Sequence, residues 1–104
     1  MKLQLSIQIW RKGSWFLAKC PELDFVSQGR TREEAQKNLM EVIEIQFEEM
    51  IRMGTLDEYL EECGYDLNEG IAIPQSEMVG FEKLDMQVHQ KQYENRWDEQ
   101  GAIF

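Results

Sequence analysis

The chain has 104 residues, 42% of them apolar and 30% charged, with 11 basic and 20 acidic side chains that give a net charge of −9. That length and apolar share suit one domain with a modest core and exclude a wholly disordered chain. No run of about 18 apolar residues is present, so no membrane-spanning helix or membrane partner is expected.

The opening MKLQLSIQIW alternates apolar and polar residues, unlike the continuous apolar core of an export signal. Cys20 and Cys63 are too few for a disulfide framework and read as reduced thiols, so the expected location is the cytoplasm. Leu3, Leu5, Ile7 and Ile9 alternate with Lys2, Gln4, Ser6, Gln8 and Trp10, which predicts one strand with a single buried face. Arg11-Lys12-Gly13-Ser14 supplies a turn, and residues 15–20 (WFLAKC) return as a second strand. Pro21 has no N–H and closes that ladder, while residues 25–28 form a short third strand ended by Gly29. The three strands make a meander.

Thr31 opens a helix through a capping box with Glu34. Ala35, Leu39, Val42, Ile43, Phe47, Met50 and Ile51 follow at helical spacing, and Glu33, Glu41, Glu44, Glu48 and Glu49 fall mostly off that stripe. Gly54 stops the helix, and Thr55 with Glu58 forms a second capping box for a short helix ending at Gly64. Signals weaken from Tyr65 to Glu82. Leu84, Met86 and Val88 then alternate with Asp85, Gln87 and His89, which predicts a fourth strand over residues 83–89. The expected organisation is a domain over residues 1–90 and a tail over 91–104, in which Tyr93 and Trp97 share a helix face for contact with a neighbour.

Glu22 and Asp24 sit together in the turn after the second strand, where paired carboxylates would serve a hydrolase. Both are ordinary turn residues, and no acid occurs in the first strand. His89 is the only histidine and has no nucleophile or second ligand near it in sequence. No Gly-rich phosphate loop, nucleophile elbow or His-Glu-x-x-His is present, so neither enzyme activity nor a cofactor or metal is expected. Trp10, Arg11 and Trp15 flank the hairpin turn and carry the residue types of interface hot spots, with Arg11 placed to stack on an indole.

Charge is unevenly spread: residues 1–30 hold five basic and two acidic side chains, residues 31–69 three and twelve, and residues 70–104 three and six. Glu33, Glu41, Glu44 and Glu48 make the helix a surface for a basic partner, and direct nucleic-acid binding is not expected of so acidic a chain.

Residues 15–23 (WFLAKCPEL) and 27–35 (SQGRTREEA), continued by Asn38, Leu39 and Glu41, resemble the HicB-type antitoxin family. The likeness covers the first half of the chain and is loose beyond Gly54. It implies a partial RNase H-like fold, β-β-β-α-β, with no nuclease activity; with the short helix read above, the expected class is α+β in the order β-β-β-α-α-β. It also implies an antitoxin that neutralises a small basic, RNA-cleaving toxin of the HicA type. Many members of the family carry an additional C-terminal DNA-binding module. Here about fifteen residues follow the predicted fourth strand, with Glu94, Asp98 and Glu99 against Lys91 and Arg96, so no such module is expected. Self-association as a homodimer or larger oligomer is expected, since one helix layer leaves a sheet face open. The alternatives are a metal-dependent nuclease or hydrolase of RNase H-like type, and an oligomeric scaffold with no toxin-related role.

Overall fold

The computed structural model describes residues 1–89; Tyr93 and Trp97 of the expected tail contact lie outside them. The architecture is α+β, with six strands in two small sheets and two helices. The elements are β1 (Lys2–Leu3), β2 (Gln8–Lys12), β3 (Trp15–Cys20), β4 (Phe25–Gly29), α1 (Arg32–Met53), α2 (Leu56–Glu62), β5 (Tyr65–Asn68) and β6 (Ile71–Pro74).

The expected meander is β2-β3-β4, antiparallel throughout. Gly13 supplies φ +63° at the first of the two loop residues between Lys12 and Trp15, a position that favours glycine in a tight hairpin. The single first strand, however, is two strands in different sheets. Its middle leaves both ladders because its backbone groups find other partners. Gln4 accepts the Tyr65 hydroxyl at 2.7 Å, and the Ser6 amide donates to Glu22 Oε1 at 3.0 Å. β1 instead pairs in parallel with β6, which pairs antiparallel with β5.

The expected fourth strand over residues 83–89 does not form. The strands that follow the helices are β5 and β6, joined by Glu69 and Gly70 with φ of +46° and +81°. Two consecutive positive φ values are the signature of a type I′ hairpin, whose twist matches its strands. β6 takes the place beside β1, in the order β1-β6-β5. From Gln75 to His89 every residue is exposed and none belongs to a helix or strand.

α1 begins and ends on local chemistry. Thr31 Oγ1 accepts the Glu34 amide at 3.0 Å, but the Glu34 carboxylate takes the Arg30 amide at 2.8 Å, one residue before the expected box partner. At the far end Gly54 adopts φ +74°, and the Gly54 and Thr55 amides close on Ile51 and Met50 carbonyls, a Schellman motif. That motif also explains why the second expected capping box is absent. Thr55 is held at φ −113°, ψ 2°, away from extended N-cap geometry, and its side chain caps nothing.

The core lies between α1 and one face of the meander, then continues under α2 to the second sheet. Ala18, Cys20, Leu23, Ala35, Leu39, Ile43, Leu60, Tyr65 and Ala72 are its buried members. Leu39 is wholly buried, worth about 1.5–3 kcal/mol for its side chain. Gly29 lets α1 approach closely, since a Cβ there would lie 2.6 Å from the Ala35 backbone nitrogen. Ile51, assigned to the buried stripe by its spacing, is instead 63% exposed near the helix end.

Candidate interaction surfaces

Strand alternation places Ile9, Phe16, Ala18, Cys20, Phe25, Ser27 and Gly29 on the face that α1 covers. The other face has three cross-strand rows: Gln8-Lys19-Val26, Trp10-Leu17-Gln28 and Lys12-Trp15-Arg30. The last row extends the β3–β4 register one step past Gly29. Its charged members are Lys12, Lys19 and Arg30, with no acid among the nine residues. Trp10 and Val26 are more than half exposed.

The cation–π partners differ from the expected one. Arg30 lies 4.3 Å from the Trp15 ring centre and Lys19 lies 5.9 Å from that of Trp10. Arg11 points to the other side of the sheet and sits 5.9 Å from the Phe16 ring instead of on an indole. Strand parity explains the exchange, because Arg11 and Phe16 are direct partners while Trp15 is one step out of phase.

Across the layer, the charge reverses. Glu33, Glu41, Glu44 and Glu48 are all exposed on α1, joined by Glu34 and Glu49. α2 adds exposed Asp57, Glu58, Glu61 and Glu62. The four glutamates singled out in the sequence thus share one helix and its acidic surroundings, whereas Trp10 and Trp15 lie on the basic face behind it.

At the Glu22–Asp24 corner, Glu22 ties elements together. Glu22 Oε1 accepts the Ser6 amide and lies 3.6 Å from the Cys20 thiol, tying the gap between β1 and β2 to the end of β3. Burial alone would raise this carboxyl, but the Ser6 amide, its own amide and the thiol together hold it below its ordinary value. Burial pushes the Cys20 thiol up to about 11, and the Glu22 carboxylate adds to that. A thiol held neutral in this way is a poor nucleophile. Asp24 is exposed with φ +59°, its amide donating to the Cys20 carbonyl at 2.8 Å, while Leu23 between the two acids is buried. Burial likewise raises the hydroxyls of Tyr59 and Tyr65, which donate to Leu23 and Gln4 carbonyls. Among the described residues, no three His, Cys, Asp or Glu side chains converge in a way that could hold a metal ion, and no helix is long and apolar enough to cross a membrane.

Two further features were not read from the sequence as functional. One is an open groove of about 340 Å³ along α1, lined by Leu3, Leu5, Met40, Ile43, Phe47 and Ile51 with Glu44 and Glu48 among its walls. The other is the segment after β6, where Val79, Phe81, Leu84 and Met86 are each more than 80% exposed and Val88 55%. The alternation at residues 84, 86 and 88 was the available signal for the second, taken as a strand of the chain's own sheet. Nothing in the sequence marks the groove, because it joins residues about forty positions apart.

No family model matches the chain, and no curated protein or solved structure matches it either.

Proposed function

We propose that the chain is a HicB-like antitoxin or an orphan relative, a non-enzymatic binding module that neutralises a small basic, RNA-cleaving toxin of the HicA type in the cytoplasm. The observation that carries this reading is the acidic helical side of the layer. Six exposed glutamates on α1 and four exposed acids on α2 oppose a sheet face whose charges are all basic. A basic, RNA-binding toxin surface is complementary to the helical side, and such complementarity speeds encounter and rejects wrong partners. Covering that surface would also keep RNA away from it. The β-β-β-α order of the meander and α1 supports the partial RNase H-like part of the proposal, and self-association belongs to the same reading.

The hydrolase alternative draws on Glu22 and Asp24. It is weakened by the use of Glu22, whose oxygen is already committed to the Ser6 amide.

The direct test is co-expression with whatever small basic protein is encoded beside this chain; the absence of one refutes the toxin-blocking reading. The proposal expects relief of growth arrest and a complex that survives purification. Arrest that persists despite soluble expression of this chain refutes it.

A further inference from the structure

The outer sheet face is a poor site for a symmetric dimer, since two copies meeting there would oppose Lys12, Lys19 and Arg30 of each. The segment after β6 is a better one. It carries Met78, Val79, Phe81, Leu84, Met86 and Val88, all exposed, in a stretch with no secondary structure of its own. Single exposed apolar residues are ordinary, but six within residues 78–88 suit contact with a partner.

We propose that residues 84–88 of one copy lie in the α1 groove of a second copy, so that two chains exchange arms. This rests on the self-association part of the reading above and needs no toxin. The dimensions agree. Leu84, Met86 and Val88 in extended form span about 14 Å and point the same way. The groove runs along α1 from Met40 to Ile51, about 16 Å at helical rise. The lining is apolar where the three side chains would enter, and Glu44 and Glu48 face the place where Lys83 would arrive. In the isolated chain the arm leaves its own groove open, although β6 ends in the sheet that contains Leu3. A second copy supplies both halves of the contact twice, as a closed two-fold dimer does.

The experiment has two parts, both on the full chain. Light scattering should report twice the 12.4 kDa monomer mass. Leu84→Asp with Met86→Asp should return it to monomer without changing the far-ultraviolet circular dichroism, because neither residue touches the core. A wild type that stays monomeric as concentration rises overturns the proposal, as does a double variant that still dimerises. In the second part, Glu48→Cys and Lys83→Cys are placed on separate chains, each with Cys63→Ser, mixed and oxidised. A cross-linked dimer that needs both variants is the expected result. If instead cross-linking occurs only when both cysteines share a chain, and the product has monomer mass, the arm folds back on itself and the exchange is wrong. Failure of toxin binding would alter neither outcome.

Discussion

The two faces of the meander are written in alternating residues of the same three strands and meet opposite fates. One face carries small or aromatic side chains, among them Ala18, Cys20 and Phe25, and disappears under α1. The other carries Trp10, Trp15, Lys12, Lys19 and Arg30 and is left open. The difference shows that burial and exposure are divided here at the level of strand parity. Residues one position apart meet core or solvent, which gives the comparison its tests.

The largest effect belongs to the covered face. Leu39→Ala removes a wholly buried side chain and should cost about 2–5 kcal/mol in a denaturant titration. Next is alkaline pH. The Cys20 thiol is raised to about 11, so an unfolded chain releases its proton first, near pH 8.5, while the native chain holds it. Stability from this group is therefore complete below that pH and is lost as pH rises toward 11, on the order of 3 kcal/mol in total. Tyr59 and Tyr65 add a further loss in the same direction at higher pH. Equilibrium unfolding between pH 8 and 11 should show the decline, and Cys20→Ala should flatten its lower half.

Gly29→Ala sets a methyl group against the α1 backbone and should cost about 1–3 kcal/mol, seen as a lower melting temperature. Smallest is the open face, where Trp10→Ala should shift stability by under about 1 kcal/mol. A large loss there would erase the distinction between the faces.

The sequence was most legible where patterns are local. The Gly13 turn, the Thr31 cap, the α1 stripe and the Gly54 stop depend on residues within a few positions of one another. The expected first strand failed because Glu22 and Tyr65, 16 and 61 residues from their partners, capture its middle. Alternation at residues 84, 86 and 88 was visible, but periodicity names an apolar face and not the molecule that covers it. The absence of an acid in the first strand is legible in the sequence, whereas the tie from Glu22 to the Ser6 amide needs coordinates. The Arg11 stacking failed on parity alone, with Phe16 and not an indole across the ladder.

The central claim is that the acidic helical side captures a basic toxin. Glu33 and Glu41 lie on that side and do not line the groove, so Glu33→Lys with Glu41→Lys tests the surface without touching the proposed dimer contact. Calorimetric titration of whatever small basic protein is encoded beside the chain into both forms is the deciding measurement. The account predicts tight binding by the native chain and at least tenfold weaker binding by the double variant, about 1.4 kcal/mol, with the fold retained and the melting temperature slightly lowered by the loss of Glu33 from the first turn of α1. Equal affinity for the two forms, or no binding by the native chain, would contradict it.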